Sequence, residues 1–175
     1  MNGLIVPPGQ GRKLATKAHD VIFKVTGADG SSASCFEVVV PPGFDVGAHA
    51  HGRSEEFFYI LEGQLDVLAF EPIKRTEERW QDWESPEGDR VVRAGAGSCM
   101  FVPTGCPHAF TNPTDEPARM LFQSHPAPDH ERYFEELSEI WAAGGQSVDS
   151  NAVQRLRERY DLTQITPLRY GPAPS

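Results

Sequence analysis

The chain has 175 residues, a length typical of one domain with a small appendage. Aspartate and glutamate outnumber lysine and arginine 25 to 16, and the net charge of −9 argues against binding to nucleic acids or anionic membranes, because both need clustered cationic side chains. Three cysteines are too few for a disulfide framework, and neither a secretory leader nor a membrane-spanning segment stands out, so we expect a soluble cytoplasmic protein.

Residues 12–125 are predicted to form the main domain, because short β-branched and aromatic segments alternate there with glycine- and proline-containing turns. Seven strands are predicted in chain order, at residues 21–25, 36–40, 56–61, 65–70, 98–102, 107–111 and 119–123. No helical pattern separates them. This succession predicts an all-β fold, either an antiparallel sandwich or a barrel.

A charged segment at residues 71–93 interrupts the succession of strands. It contains Trp80 and Trp83 among many acidic and basic residues. Two interpretations stay open: the segment is a solvated excursion between two strands, or it is a flap whose tryptophans cover the mouth of a pocket or a subunit contact.

Residues 126–167 are predicted to form an appendage of two α-helices. Asp129 is the candidate N-cap of the first helix, and Ser150 is the candidate N-cap of the second. The proline- and glycine-rich residues 168–175 are expected to form a frayed tail.

One face of the first predicted helix carries Tyr133, Phe134 and Trp141 at helical spacing. We expect this aromatic stripe to pack on the β-domain or on a partner subunit rather than to join a catalytic site. An exposed stripe of this kind would need a partner, so the expected state of the protein is a homodimer.

Three of the six histidines are placed where they can share a ligand. His49 and His51 are separated by one residue, which puts both rings on the same face of a strand. Glu56 begins the next predicted strand, and His108 lies on a later one. Three imidazole nitrogens and one carboxylate oxygen form a ligand set for a divalent transition metal, and their burial without a cation would be costly. The remaining histidines lack such neighbours and are not expected to be ligands: His19, His125 and His130.

The same residues stand in two motifs that resemble those of the cupin superfamily. The motifs read Gly43-x5-His49-x-His51-x4-Glu56-x6-Gly63 and Gly97-x5-Pro103-x-Gly105-x2-His108-x3-Asn112. The resemblance implies a double-stranded β-helix, the small jelly-roll barrel of six to eight strands, with one metal ion held inside by the three histidines and the glutamate. Glu55 is an alternative ligand, but the spacing to Gly63 favours Glu56. The insert at 71–93 and the C-terminal helices depart from the family pattern.

The strand pattern also predicts the lining of a substrate cavity beside the metal. If His108 faces inward, the residues expected to accompany the ligands are Phe58, Ile60, Phe101, Phe110, Met120 and Phe122, with Phe36 or Val38 on an earlier strand. Such a cavity is apolar and aromatic and has few cationic groups. It suits a flat or hydrophobic substrate better than a dicarboxylate or a sugar nucleotide.

The layout of a single β-domain with a helical tail resembles bacterial quercetin 2,3-dioxygenase-type cupins. The resemblance implies a metal-dependent oxygenase that acts on a phenolic or enolic small molecule, with Glu56 as catalytic general base. Iron, manganese, nickel, cobalt and zinc are all compatible with the ligand set. Two further functions stay open: a redox-neutral zinc-type cyclase, isomerase or lyase, and a non-catalytic module that binds a small molecule.

Overall fold

The computed structural model describes residues 3–15, 20–127, 129–144 and 149–169. In this part of the chain the strands and α-helices are, in order, β1 (Arg12–Ala15), β2 (Asp20–Val25), β3 (Ser34–Val40), β4 (His49–His51), β5 (Glu55–Glu62), β6 (Gln64–Ala69), β7 (Val92–Gly95), β8 (Cys99–Val102), β9 (His108–Thr111), β10 (Ala118–His125), α1 (His130–Gly144), α2 (Ser150–Arg159) and β11 (Leu162–Gln164). His19 and most of the predicted tail lie outside the described residues. Within the described ranges, no helix has the length and apolar character needed to cross a bilayer.

The strands form two antiparallel sheets. The order of the first is β1-β2-β3-β10-β5-β8, and the order of the second is β11-β4-β9-β6-β7. Side chains from both sheets meet in one hydrophobic core, where the ring centroids of Phe58 on β5 and Phe110 on β9 are 5.9 Å apart. This two-sheet architecture, followed by two C-terminal helices, confirms the predicted fold class.

The period-two pattern of β5 decides which of its side chains enter the core. Residues 56, 58 and 60 are buried, whereas residues 55, 57 and 59 are exposed. Successive side chains of a strand point to opposite faces of the sheet, so Glu56 faces inward and the alternative ligand Glu55 faces outward.

The structure contains strands that the sequence pattern does not predict. These are β1, β7 and β11, which are three or four residues long and carry polar side chains in place of an apolar alternation. β11 pairs with β4, so a strand that follows the helices completes the sheet that carries His49 and His51. Because this pairing joins segments far apart in the chain, local sequence patterns do not predict it.

Most of the 71–93 segment is exposed, as a solvated excursion would be, but its two tryptophans are not. Trp80 and Trp83 are 1% and 2% exposed, and they pack with Ala48 and Ala109 in a second, smaller hydrophobic cluster. These alanines directly adjoin His49 and His108, and neighbouring side chains of extended segments point to opposite faces. The tryptophans therefore cover the face of the five-stranded sheet opposite the histidines, and they are neither solvated nor placed over the mouth of a pocket.

The two helices pack against the sheets. Phe134 of α1 contacts Phe36 of β3 with ring centroids 5.6 Å apart, and the aromatic stripe of α1 is buried. This burial agrees with the prediction that the stripe packs on the β-domain. The homodimer was predicted from an exposed stripe, so that argument no longer applies. The N-cap of α2 is Asp149 rather than Ser150, because the carboxylate of Asp149 accepts hydrogen bonds from the backbone N–H groups of residues 151 and 152.

Candidate metal centre

Four buried side chains converge between the two sheets. His49 and His51 lie on β4, His108 lies opposite His49 on β9, and Glu56 lies on β5 of the other sheet. Their ligand atoms are all within 4.8 Å of one another, and none of the four residues is more than 4% exposed. The structure thus brings together all four of the predicted ligands.

Hydrogen bonds set the orientation and the tautomer of each imidazole ring. In each ring Nδ1 lies close to a main-chain carbonyl oxygen: His49 to Gly47 at 2.9 Å, His51 to Asp161 at 3.0 Å and His108 to Cys106 at 3.2 Å. A carbonyl oxygen can only accept, so each Nδ1 carries the proton and donates it. Each Nε2 is then left with a lone pair directed at the cluster, the arrangement of a metal-ligating histidine.

The carboxylate of Glu56 completes the ligand set. Its Oε1 lies 3.1 Å from Nε2 of His51, and its Oε2 lies 3.0 Å from Nε2 of His108. Because the protons are on Nδ1, these nitrogens present lone pairs to the carboxylate, and Nε2 of His108 has no hydrogen-bond partner among the described residues. Two ligands at right angles, each about 2.1 Å from a shared metal ion, stand about 3 Å apart. The donor set therefore fits a divalent transition metal.

Burial and neighbouring charges shift the pKa of three of the four groups. Burial, with the nearby charges of His108 and Arg157, lowers the pKa of His49 well below its usual range, and burial also lowers the pKa of His51. Burial opposes ionisation of Glu56, but His51 and His108 together outweigh it and lower the pKa of this carboxyl. For these three residues the shifts favour a neutral imidazole or an ionised carboxylate, the forms that bind metal.

Gly47 holds the loop that positions His49. Its φ is +69°, and a Cβ atom there would lie 2.4 Å from the carbonyl oxygen of Thr166, so no other residue fits without displacement of the backbone. Asp45 accepts hydrogen bonds from the backbone N–H of Gly47 and from Nε1 of Trp80, both at 2.8 Å. The insert is therefore tied through Asp45 and Gly47 to the loop that holds His49.

An apolar cavity with a volume of about 80 Å³ opens onto the ligand cluster. The predicted residues that line it are Phe58, Phe110, Met120 and Phe122, and Val38 joins them rather than Phe36. Ile60 lines a smaller neighbouring cavity, which Phe58 and Phe110 separate from the ligands. Phenylalanine rings thus form a large part of the wall beside the metal centre.

A family model described as cupin matches residues 23–152. This chain belongs to the cupin family. The match runs from within β2 through α1 to the start of α2, and it includes all four residues of the metal centre.

This cupin is similar in sequence to two curated proteins and in fold to a solved structure. An uncharacterized protein of Methanocaldococcus jannaschii is 30% identical over 117 residues, which cover 65% of this chain and 72% of that protein. The polyketide synthase CurC of Streptomyces cyaneus is 32% identical over 89 residues, 50% of this chain and 46% of that protein. A sugar phosphate isomerase of the cupin superfamily from Silicibacter pomeroyi is 23% identical, with a TM-score of 0.47 over 65% of this chain and 62% of that one. The cupin thus spans less than two thirds of the last two proteins.

Phe101 does not line the cavity of this cupin. Its side chain is 55% exposed, whereas Val102, the next residue of β8, is 2% exposed. The alternation along β8 therefore places residues 100 and 102 inward, and Met100 rather than Phe101 lines the smaller cavity. The prediction for Phe101 is wrong by one position of strand register.

The helices supply cavity residues that the sequence patterns do not identify. His130, Tyr133, Phe134 and Leu137 of α1 and Arg157 of α2 line the same cavity as the ligands. The expectation that the aromatic stripe stays outside the site is therefore wrong, because α1 packs where the two sheets leave the cavity open. His130 is not a ligand, in agreement with the prediction, and His125 is exposed.

The sequence around Arg157 could have predicted that this residue is buried. It lies on the apolar face of α2 that is defined by Val153, Leu156 and Tyr160, all of which are buried. A guanidinium group on such a face enters the interior with the apolar residues, where a charge is rare unless it has a partner.

Proposed function

We propose that this cupin is a metal-dependent oxygenase that acts on a phenolic or enolic, largely apolar small molecule. The observation that supports this proposal is the position of the four-ligand cluster beside a cavity that His49, His51 and Glu56 line together with several phenylalanine rings. These four residues would hold the metal ion, and the cavity would give small molecules access to it.

Each group of the site has a separate task in the proposed reaction. When bound, a divalent redox-active metal supplies Lewis acidity toward a substrate oxygen and the capacity for dioxygen chemistry. Glu56 accepts the proton of the substrate hydroxyl at Oε1 or Oε2, since its lowered pKa keeps the carboxylate ionised. Phe58, Phe110 and Phe122 hold a flat ring by apolar contact and exclude water from it.

The Streptomyces relative supports the proposed class of substrate. That protein is described as a polyketide synthase. Polyketide chains and their aromatic products carry enol and phenol oxygens on largely apolar skeletons, and these are the groups that the cavity and the metal centre would recognise together.

Oxygen uptake tests the proposal. We expect protein reconstituted separately with iron, manganese, nickel and cobalt to consume dioxygen in the presence of a panel of flavonols, hydroxynaphthoquinones and β-diketones. Glu56→Gln should lower turnover by about 100-fold to 10,000-fold, the usual range for loss of a general base, whereas Glu55→Gln, on the opposite face of β5, should retain it. Metal content is measured in each variant. No uptake with any metal would contradict the proposal.

A redox-neutral cyclase, isomerase or lyase is the second candidate, and the likeness to a polyketide synthase favours it over a non-catalytic binding module. A metal with Lewis acidity and a carboxylate that moves a proton are sufficient for such a reaction. Turnover of the same panel by zinc-loaded protein under strict anaerobiosis would favour this candidate. Tight retention of a ligand without any product would favour the binding module.

A further inference from the structure

Arg157 is a buried cation in the wall of the metal cavity. It lies on α2, is 3% exposed and lines the same cavity as His49 and Glu56. Its Nη1 donates a long hydrogen bond of 3.4 Å to the carbonyl oxygen of Val46, and its Nε has no hydrogen-bond partner among the residues that the structure describes. In the same part of the chain, no carboxylate forms an ion pair with this guanidinium.

The surface arginines of the chain are placed differently. Arg93 pairs with Asp66, and Arg119 pairs with both Glu37 and Glu62, although their guanidinium groups are partly in water. A guanidinium stays protonated at all pH values of interest, so a buried one needs an anion near it. Arg157 is more deeply buried than Arg93 and Arg119, so its guanidinium needs a neighbouring anion most, and the cavity has room for one.

The hydrogen bond to Val46 does not explain why this position carries an arginine. At 3.4 Å it is near the limit of a hydrogen bond, and it uses only one of five donors. A helix that only had to pack on the sheets would be served better by an apolar residue, as at positions 153 and 156 of the same face.

We propose that Arg157 binds a carboxylate of the substrate, while a hydroxyl elsewhere on the same molecule reaches the metal centre. The planar fork of the guanidinium matches the two oxygens of a carboxylate. The substrate is then an aromatic or enolic hydroxy acid rather than a neutral phenol. The position of the hydroxyl rests on the proposed function, whereas the binding of the carboxylate by Arg157 does not.

The charges around the cavity agree with an anionic substrate. With a divalent cation bound, the single negative charge of Glu56 leaves the metal centre positively charged, and Arg157 adds a second positive site on the same cavity. Apart from Glu56, the residues that line the cavity include no carboxylate, so the walls supply no further counterion. A molecule with one acidic hydroxyl and one carboxylate would neutralise both sites.

Equilibrium binding to the metal-loaded protein, without dioxygen, tests Arg157 separately from turnover. The probes are benzoate and salicylate, each paired with its neutral amide, at concentrations up to about 10 mM, which detects weak binding. The variants are Arg157→Gln and Arg157→Lys, and Arg155→Gln on the exposed face of α2 is the matched control. Metal content and the melting temperature without probe are measured for every protein.

We expect the wild type and Arg155→Gln to bind each carboxylate about tenfold or more tightly than its amide. Arg157→Gln should abolish this preference with metal content unchanged and the melting temperature equal or higher, since a buried unpaired charge is removed. Arg157→Lys should keep part of the preference.

Three results would overturn the assignment. The first is a carboxylate preference that persists in Arg157→Gln, which would place the anion on the metal alone. The second is absence of the preference, or of any carboxylate binding, in the wild type. The third is a lower melting temperature of Arg157→Gln together with loss of binding, which would give Arg157 a structural role. Failure of oxygen uptake with the preference intact would contradict the oxygenase proposal and leave Arg157 as the anion-binding residue.

Discussion

His51 donates its Nδ1 proton to the main-chain carbonyl oxygen of Asp161, 3.0 Å away and 110 residues further along the chain. Asp161 follows α2 with a φ of +63°, and its carboxylate accepts a hydrogen bond of 2.8 Å from the backbone N–H of Arg53. The segment after the helices thus orients one metal ligand and holds the turn that follows it. The segment that follows α2 is therefore part of the surroundings that hold the metal centre.

Substitution of Asp161 tests this connection. Asp161→Val should lower metal affinity by about tenfold to 100-fold. A β-branched residue disfavours the positive φ, and valine cannot accept the hydrogen bond from Arg53. Both changes should move the carbonyl oxygen of residue 161 away from His51. Asp161→Asn keeps both the acceptor and the tolerance of this φ, and it should bind metal nearly as well as the wild type. Competition with a chelator measures both affinities. Equal affinity of the valine variant and the wild type would show that His51 does not depend on this carbonyl.

Loss of a ligand should remove the metal and the stability that comes with it. We expect elemental analysis to find about one metal ion per chain in the wild type and to find it lost in His49→Ala and His108→Ala. They should also lose the metal-dependent rise in stability, which is about 4 kcal/mol for a free metal concentration of 1,000 times Kd. His125→Ala, at an exposed position, is the control and should keep both. Full metal content in His108→Ala would contradict the site.

His130 should make the fold sensitive to acid. Burial, with a smaller effect of His51 and against the charge of Glu56, lowers the pKa of His130 from 6.5 to about 4. Between pH 6.5 and pH 4 the unfolded chain binds a proton at His130 that the folded chain does not bind. The contribution of His130 to the free energy of unfolding is therefore complete above pH 6.5 and decreases as the pH falls toward 4. The full loss is about 3 kcal/mol.

The variant His130→Phe removes this titration and keeps an aromatic ring beside Phe36 and Phe122. Urea unfolding at several pH values should therefore show a flatter decline of stability for the variant than for the wild type. An unchanged slope would mean that the acid sensitivity arises elsewhere, for instance at His49 and His51.

Trp80 should be a core residue although it lies in a charged insert. Trp80→Ala should lower the free energy of unfolding by about 3–5 kcal/mol, the usual cost of such a truncation. Trp80→Phe keeps most of the packing and loses the hydrogen bond to the Asp45 carboxylate, which contributes about 1.5–3 kcal/mol. Urea unfolding measures both. A loss below about 1 kcal/mol for the alanine variant would mean that the insert is not part of the folded core.

The homodimer stays a prediction, and its surface is not the α1 stripe, which is buried. The exposed aromatic residues lie instead on the outer face of β5 and the edge strand β8, where Phe57 and Phe101 are register partners and Tyr59 is close by. We expect light scattering to give a dimer that Phe101→Lys weakens. A monomeric wild type would contradict the dimer, and an unaffected dimer in the variant would place its interface elsewhere.

Local patterns in the sequence predicted the fold class and the metal ligands of this cupin. The period of two along a strand decides which residues share a face, so His49 and His51 could be paired without any tertiary information. The preference for Glu56 over Glu55 came from the resemblance to the cupin motif, through the spacing to Gly63. The same reasoning failed for Phe101, because the prediction placed it among inward residues without a register for β8.

What the tertiary structure alone decided depends on contacts between distant segments. Alternation and helical periodicity specify which residues face inward, but they carry no information about which other element each face meets. The position of Trp80 behind the histidines, the carbonyl of Asp161 on His51 and the guanidinium of Arg157 in the cavity all join segments that are far apart in the chain. The sequence by itself therefore determined the metal ligands, whereas the packing of α1 and α2 against the sheets decided which helix residues line the cavity beside them.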